Sequence, residues 1–350
     1  MSPHSPVVAT LEGLTPAWLS AALGGAVESV TSEPVGTGQI GTCYRLRLTG
    51  SGVPPVVLAK LPATDPGVRE LLAGVYRSEV RFYSQLAATV AVRVPTTYYA
   101  AMAAEGGDFT VLMEDLAPAE QGDQLAGCSV AQAEDAVVNL AGLHGPRWCD
   151  PTLLDVEGLQ INGPEDAAVM AELYGPATDL FLEGLGDLVS PEDAATLRDV
   201  VEVIESWALA RAERFGLVHG DYRLDNLMFP PGGAPGVVAL DWQTLSLALP
   251  ARDLAYFLGT SLTPGDRSTH ERALVASYHR ALTSYGVAGY SFEDCWEDYR
   301  FAMVQGPLVS VFGCAYGTHT ERGDRMFAAM VARSCAAIRD LGTLALVPAP

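Results

Sequence analysis

The sequence predicts an α+β protein in which a strand-rich part, residues 1–115, is followed by a mostly helical part, residues 116–350. Short β-branched and alternating apolar runs lie at 35–61 and 96–114, on either side of one helical pattern. Beyond Leu116 the apolar residues recur at helical spacing. No linker rich in proline, glycine or serine separates the two parts. A chain of 350 residues with 49% hydrophobic residues can form two domains or one domain of two lobes.

The strand-rich part is expected to contain two helices and five strands. Thr15 can cap a helix that begins at Pro16. The remaining elements follow from apolar alternation and helical spacing. They are a glycine-rich hairpin at 35–48, a buried strand at 56–61, a helix at 68–88, and strands at 96–101 and 109–114.

The second part is expected to be helical, with one short strand pair. The helical segments are 130–143, 165–185, 191–215 and several between 252 and 341. The strand pair is expected at 227–229 and 237–240. It flanks the segment in which the polar motifs are concentrated.

Composition excludes several classes of function. Lys and Arg number 21 against 42 Asp and Glu, a net charge of −21, which repels nucleic-acid phosphates and anionic membranes. We therefore expect no nucleic-acid and no membrane partner. The six cysteines form no C-x-x-C pair, which fits neither a zinc site nor a disulfide scaffold and indicates thiols in a reducing compartment. Without a secretory leader or a long apolar segment, the expected location is the cytoplasm.

Lys60 is the only lysine among 21 basic residues. A GC-rich genome favours arginine at positions where lysine and arginine are equally suitable. A lysine retained on a strand with the apolar pattern of a buried strand therefore calls for a chemical explanation. Chance survival is the alternative explanation.

Gly36, Gly38 and Gly41 match the pattern G-x-G-x-x-G, in which backbone N–H groups can approach phosphates closely. A dinucleotide-binding unit would continue as a helix, whereas here the alternation of Tyr44 and Leu46 continues a strand. This context indicates two strands joined by a loop that covers a triphosphate. An ordinary glycine-rich hairpin is the alternative.

The segment from His219 to Asn226, followed by Asp241, is the most specific motif of the chain. Phosphoryl transfer needs a carboxylate that orients the attacking hydroxyl and oxygen ligands that hold Mg²⁺. Asp221 can supply the carboxylate, and Asn226 and Asp241 can supply the ligands. The spacing is that of the kinase signature H-x-D-x-x-x-x-N with a later metal-binding Asp. A turn and a helix cap are the alternative interpretation.

Together these motifs resemble the aminoglycoside phosphotransferase and choline-kinase-like group of small-molecule kinases, and within it the ecdysteroid-kinase-like branch. The resemblance covers about residues 35–262. It implies a bilobal, protein-kinase-like fold with ATP or GTP as co-substrate and Mg²⁺ as cofactor. Residues 1–115 would be the nucleotide-binding lobe, and residues 116–350 would carry the catalytic loop and the substrate site.

The resemblance also assigns roles residue by residue. Lys60 would bind the α- and β-phosphates, and Glu79 would orient it. Met113, Glu114 and Leu116 would lie at the hinge that meets the purine.

Three further residues of the resemblance are expected to support the site without reacting. His144 and His219 would be structural. Asp253 would brace the catalytic loop through backbone N–H groups.

The expected activity is transfer of the γ-phosphate to a hydroxyl of a small molecule such as an aminoglycoside, another antibiotic or a natural product. Antibiotic resistance is one role that this implies. Only 11 residues separate Asp241 from Asp253, which leaves no room for an activation segment and disfavours a protein substrate. Tyr222 to Asp225 replaces the histidine-containing stretch of many aminoglycoside enzymes, which puts an antibiotic acceptor in doubt. A nucleotide-binding pseudokinase that acts as sensor or assembly partner is the alternative function.

The acceptor site is expected in the helical part. Residues 120–199 carry 16 acidic side chains against two arginines, so a cationic acceptor is one expectation and solvated helix faces are the other. Four aromatic residues could form an apolar or sugar-stacking wall, or could belong to the core: Trp148, Trp296, Tyr299 and Tyr316. The expected assembly is a monomer or a homodimer.

Overall fold

A computed structural model describes residues 6–36 and 41–349. The described chain divides into two compact units. Unit 1 comprises the chain up to Thr89, Val94–Pro118 and Leu240–Leu245. Unit 2 comprises Val90–Arg93, Ala119–Ala239 and the chain from Ser246 onward. The expected lobe boundary at residue 115 stays a prediction.

Unit 1 is built on a five-stranded antiparallel sheet with the strand order β1-β2-β3-β5-β4. Its strands are β1 (Ala26–Pro34), β2 (Gly41–Ser51), β3 (Val56–Pro62), β4 (Thr97–Met102) and β5 (Phe109–Glu114). Its helices are α1 (Pro16–Leu23), α2 (Pro66–Leu71) and α3 (Ala73–Arg81). The mixed α+β prediction is confirmed.

Side-chain alternation explains how β3 carries both core and functional residues. Val57, Ala59 and Leu61 are buried in one apolar cluster beneath α1, together with Trp18. Successive strand residues face opposite sides of a sheet, so Lys60 lies on the other face. In the register of the sheet it is paired with Cys43 of β2 and with a residue of β5.

Two elements of unit 1 differ from the sequence expectation. β1 begins at Ala26, well before residue 35, and it escaped notice because this edge strand is mostly polar and exposed. The single helix expected at 68–88 is interrupted at Leu72, whose ψ of 4° departs from helical geometry. After α3 the chain continues as a π-helical turn, Phe82–Leu86.

Unit 2 contains eight α-helices and five short strands within its described residues. The helices are α4 (Val130–His144), α5 (Pro164–Leu185), α6 (Pro191–Leu209), α7 (Ala251–Ser261), α8 (Pro264–Ser284), α9 (Phe292–Phe301), α10 (Gln305–Ala315) and α11 (Glu321–Leu341). The strands are β6 (Glu120–Gln121), β7 (Gly216–Val218), β8 (Leu227–Phe229), β9 (Val238–Ala239) and β10 (Ser246–Ala248). None of the described helices is long and apolar enough to cross a membrane.

Unit 2 confirms the expected strand pair, β8 with β9, and corrects the end of α6. The helix stops at Leu209 and does not reach 215. Arg211 and Arg214 leave the helical path and pair with Asp298, a fully buried carboxylate of α9. Burying a charge is unfavourable unless it is paired, so these tertiary ion pairs override the helix propensity of the segment. Because the helix ends there, the following residues form β7, which pairs with β10.

Candidate active site

Unit 1 brings Lys60, Glu79 and Asp241 together. Lys60 Nζ donates to a Glu79 carboxylate oxygen at 2.7 Å and to Asp241 Oδ1 at 3.4 Å. Glu79 comes from α3, where it is 1% exposed. Its other contact is the amide of Gln243, which donates to Oε2 at 3.3 Å. The only lysine is therefore held between two carboxylates that are distant from it in sequence.

Asp241 is positioned by an unusual backbone and by its neighbour Trp242. Its φ of 65° is in the left-handed region, which Asp adopts more readily than most residues. The Trp242 ring stacks on Phe82 with a centroid separation of 3.5 Å and an angle of 6°. Both rings are fully buried. Because strained backbone persists only where packing holds it, this stack fixes the direction of the Asp241 carboxylate.

The pKa of Lys60 reflects two opposing effects. Burial disfavours the ammonium ion, but the negative charges of Glu79 and Asp241 outweigh burial and raise the pKa above its usual value. Lys60 therefore carries its positive charge throughout the physiological pH range. This charge is the one that a phosphate group would meet.

The glycine motif is only partly within the described residues. Gly36 has a φ of 70° at the end of β1, a conformation that suits glycine. Gly41 begins β2, and a Cβ there would lie 2.7 Å from the carbonyl oxygen of Leu61. Gly38 lies outside the described residues. A phosphate role for the loop stays a prediction.

The expected hinge follows β5. Met113 is buried and Glu114 is half-buried, and Leu116 comes two residues after the strand ends. Between them, Asp115 accepts two hydrogen bonds from the Arg45 guanidinium, from Nε at 2.7 Å and from Nη2 at 3.3 Å. This pair ties the segment after β5 to β2. Purine binding by these residues stays a prediction.

The loop expected to be catalytic, called the catalytic loop below, runs from β7 to β8 in unit 2 and is held by Asp253 of α7. The backbone N–H groups of His219 and Gly220 donate to the two Asp253 oxygens at 2.6 and 2.9 Å. The buried ring of His144 contacts the same carboxylate at 3.3 Å. The expectation that Asp253 braces the loop is confirmed.

Both histidines of this region have structural partners. His144 Nδ1 lies 2.7 Å from the hydroxyl of Tyr278, and the ring is fully buried. His219 is also fully buried, and its Nδ1 accepts a hydrogen bond from the backbone N–H of Asp221 at 3.3 Å. The structural roles expected for them are confirmed.

The Asp221 carboxylate accepts hydrogen bonds from three side chains of unit 2. Tyr256 Oη donates to Oδ1 at 2.8 Å, Arg223 Nε approaches it at 3.0 Å, and Asn226 Nδ2 donates to Oδ2 at 2.9 Å. Burial and the nearby Asp221 charge raise the pKa of Tyr256 well above its usual value, so the phenol keeps its proton. These donors hold the carboxylate in one orientation.

Sequence reasoning missed Tyr256. It follows Asp253 by three residues in α7, and residues at this spacing share a helix face. Helical periodicity behind Asp253 could therefore have pointed to it. Gln243, two residues after Asp241, was part of the sequence motif but was given no role of its own.

The donor chemistry of Asn226 and Asp241 suits Mg²⁺. The Asn226 amide nitrogen donates to the backbone carbonyl and the carboxylate of Asp221, both at 2.9 Å, which leaves its amide oxygen available as a ligand. Asp241 offers a partly exposed carboxylate. Mg²⁺ prefers such hard oxygen ligands and keeps several waters or phosphate oxygens. Each of the two side chains, taken by itself, has donor chemistry that fits the ion.

The sequence allows Asp225 to be a further polar contact or, by preference, an exposed loop residue, and the preferred expectation is wrong. Its side chain is 13% exposed. It accepts hydrogen bonds from the Gln124 backbone N–H at 2.9 Å, from Arg322 at 3.1 Å and from Arg223 at 3.1 Å. Burial opposes the charged form, but the Arg322 and Gln124 donors hold the pKa of Asp225 below its usual value. Asp225 thus links the catalytic loop to α11.

The expected aromatic wall is divided among separate contacts. Trp148 packs against Tyr290, and Tyr316 stacks on Phe312. Tyr299 is fully buried and donates a hydrogen bond to Glu271. The ring centroids of Trp296 and Tyr299 are 5.4 Å apart. The core interpretation holds for Tyr299.

The acidic side chains of 120–199 include many on solvated helix faces. This agrees with the expectation of solvated helix faces. Four of these side chains are exposed along α5: Glu165, Glu172, Asp179 and Glu183. Others form ion pairs, such as Asp135 with Arg93.

Fold and site together define a kinase-like phosphotransferase. The phosphotransferase enzyme family matches residues 33–291, and the chain belongs to this family. Choline kinase from Cryptosporidium parvum Iowa II has a similar fold, with a TM-score of 0.59 and 10% identity over 94% of each chain. The GDP complex of an aminoglycoside 2'-phosphotransferase-IIIa aligns with a TM-score of 0.52 and 14% identity, over 89% of this chain and 93% of the other. The ecdysteroid-kinase-like branch stays a prediction.

Two curated relatives are much longer proteins. The chain is 50% identical over 48 residues to mouse acyl-CoA dehydrogenase family member 10, which is 14% of this chain and 4% of that protein. It is 26% identical over 171 residues to human acyl-CoA dehydrogenase family member 11, which is 47% of this chain and 19% of that protein. The chain thus spans a small fraction of these relatives.

Proposed function

We propose that this protein transfers the γ-phosphate of ATP or GTP to a hydroxyl group of a small molecule, with Mg²⁺ as cofactor. The observation that carries the proposal is the contact of Lys60 with Glu79 at 2.7 Å, beside Asp241. A lysine oriented by a helix glutamate next to a metal-binding aspartate is the phosphate-binding half of a kinase site. GDP in one structure of similar fold supports a nucleotide co-substrate.

Each residue has a defined task in this mechanism. Lys60 binds phosphate oxygens, and its contact with Glu79 keeps the ammonium in place. Asn226 and Asp241 would hold the metal ion through oxygen atoms. A bound Mg²⁺ would supply positive charge that offsets the charge of the transferring phosphoryl group.

Asp221 performs the acceptor side of the reaction. Its carboxylate accepts a hydrogen bond from the substrate hydroxyl and orients that oxygen for in-line attack on the γ-phosphate. The hydrogen bonds from Tyr256 and Asn226 keep the carboxylate in place. Most of the rate enhancement then comes from positioning and charge neutralisation, with little covalent work for the protein.

The family and the net charge support a proposal for the class of acceptor. Choline kinase and an aminoglycoside phosphotransferase, both named for amine-bearing acceptors, have similar folds. A net charge of −21 would raise the local concentration of a cationic acceptor. We therefore propose amino alcohols and amino sugars as the first acceptors to test, ahead of neutral natural products.

The test is a turnover screen with Mg²⁺ in which ATP and GTP are each offered with amino alcohols, aminoglycosides, nucleoside antibiotics, macrolides and steroids. Phosphorus NMR detects a new phosphate ester directly, and a coupled assay measures nucleoside diphosphate. Asp221→Ala is the inactive control. Asp179→Asn, an exposed change on α5, is the matched surface control.

A phosphate ester that forms with the wild type and Asp179→Asn but not with Asp221→Ala supports the proposal. Tight nucleotide binding without transfer to any acceptor favours the pseudokinase alternative. Absence of nucleotide binding in the folded protein contradicts both functions.

A further inference from the structure

Cys314, His319 and Asp324 form a cluster in unit 2 that the phosphotransfer mechanism does not use. One ligand atom from each residue lies within 4.8 Å of those of the other two. His319 Nδ1 lies 2.9 Å from Asp324 Oδ1. All three residues come from one helix-turn-helix segment: the last turn of α10, the connecting turn and the first turn of α11.

The local sequence explains the convergence. Cys314 precedes the end of α10 by one residue, and the spacing of the three residues is C-x4-H-x4-D. Thr320 caps α11 by accepting a hydrogen bond from the Gly323 backbone N–H at 3.0 Å. A Cβ at Gly317 would lie 2.3 Å from the carbonyl oxygen of Gly313, so glycine permits this tight turn. The turn is therefore closed by backbone contacts close to the three donors.

The donor set is one that zinc prefers. Zn²⁺ binds cysteine sulfur at about 2.3 Å and histidine nitrogen or carboxylate oxygen at about 2.0–2.2 Å, usually in tetrahedral geometry. Neighbouring ligand atoms in such a site are roughly 3.3–3.7 Å apart. Separations of up to 4.8 Å must shorten by roughly 1.1–1.5 Å, whereas the 2.9 Å contact between His319 and Asp324 must lengthen by roughly 0.4 Å or more. His319 can make this movement, because its exposed side chain is in a turn.

We propose that Cys314, His319 and Asp324 bind one Zn²⁺, with the fourth position open to water. On binding, the Cys314 thiol releases its proton to solvent and the sulfur coordinates as thiolate. The imidazole proton that faces Asp324 moves to the other ring nitrogen, so that Nδ1 becomes a ligand. The absence of C-x-x-C pairs does not exclude this site, because a single cysteine joins a histidine and a carboxylate.

The site lies next to a contact with the catalytic loop. Arg322, in the same first turn of α11, pairs with Asp225 at 3.1 Å and with Asp123 at 3.1 Å. A metal ion that joins α10 to this turn would restrain Arg322. Zinc would then act on the protein as a structural ion, separate from catalytic Mg²⁺.

The experiment uses Co²⁺ as a spectroscopic probe on the full-length, metal-stripped protein in excess Mg²⁺. A thiolate-to-cobalt absorption band reports a sulfur ligand, which the oxygen ligands Asn226 and Asp241 cannot produce. Four variants are compared with the wild type. Cys314→Ser and His319→Ala remove ligands, whereas Cys128→Ser and His270→Ala are matched controls elsewhere in unit 2.

We expect one equivalent of Co²⁺ per chain to produce the band and Zn²⁺ to abolish it by displacement. Cys314→Ser should lose the band, and His319→Ala should lose it or weaken Zn²⁺ binding by about tenfold or more. Both control variants should behave as the wild type. Because His319 is exposed, its removal tests the site without endangering the fold. A wild type without the band, or a His319→Ala variant whose band and Zn²⁺ affinity both equal those of the wild type, overturns the proposal whatever the phosphotransfer screen finds.

Discussion

The phenolic oxygen of Tyr256 lies 2.8 Å from Asp221 Oδ1 and donates a hydrogen bond to it. Tyr256 is fully buried on α7, one helical turn from Asp253, which holds the backbone of the same loop. One helix therefore fixes both the course of the catalytic loop and the orientation of its carboxylate.

Tyr256→Phe tests this relationship. The variant removes one donor and keeps the ring, so we expect kcat to fall about tenfold to a hundredfold with little change in the KM for nucleotide. The free energy of unfolding should fall by only about 1 kcal/mol. Steady-state kinetics and urea unfolding measure the two effects. Unchanged kcat would show that Asp221 needs no orientation by Tyr256.

Asp221→Ala should lower turnover by roughly 10²-fold or more, because it removes the group that orients the acceptor hydroxyl. Nucleotide affinity should change little, since Lys60 and Glu79 are intact. Single-turnover kinetics and nucleotide titration separate the two quantities. A folded variant with near-normal turnover would remove Asp221 from its assigned role.

Lys60→Arg should raise the KM for nucleotide by about tenfold or more, which corresponds to roughly 1.4 kcal/mol. A planar guanidinium cannot reproduce the point-like ammonium that contacts Glu79 and Asp241. Its charge is kept, so the fold should survive. Nucleotide titration and circular dichroism are the measurements, with Arg198→Lys as a control exchange on α6. Equal nucleotide affinity of Lys60→Arg and wild type would contradict the phosphate assignment.

Asp225→Asn should destabilise the protein in a pH-dependent way. The pKa of Asp225 is lowered from 3.8 in the folded protein, so its stabilising contribution is present above pH 3.8 and is lost as pH falls through the folded pKa. We expect a loss of about 1–3 kcal/mol between pH 5 and 8. The difference between variant and wild type should shrink below about pH 4.

Urea unfolding of wild type and Asp225→Asn at several pH values measures this difference. Glu183→Gln, an exposed acidic residue of α5, is the control and should show no such dependence. A difference that is the same at pH 3.5 and pH 7 would show that the Asp225 charge does not stabilise the fold.

Local patterns were enough to predict much of the chemistry. The short apolar run at 56–61 identified β3 as a buried strand, and it left Lys60 as the unusual residue on that strand. The five-residue spacing from Asp221 to Asn226 predicted a loop on which both side chains act together, and the structure joins them by a hydrogen bond. Such signals are readable because neighbouring residues produce them.

Contacts between distant parts of the chain were not readable in this way. The end of α6 depends on Asp298, about ninety residues beyond Arg211, and the partial burial of Asp225 depends on Arg322. Helix propensity is a weak preference that a buried ion pair outweighs, and burial exists only after the chain has packed. The residue types and their order thus predicted a phosphotransferase, whereas packing decided which side chains hold the Asp221 carboxylate in place.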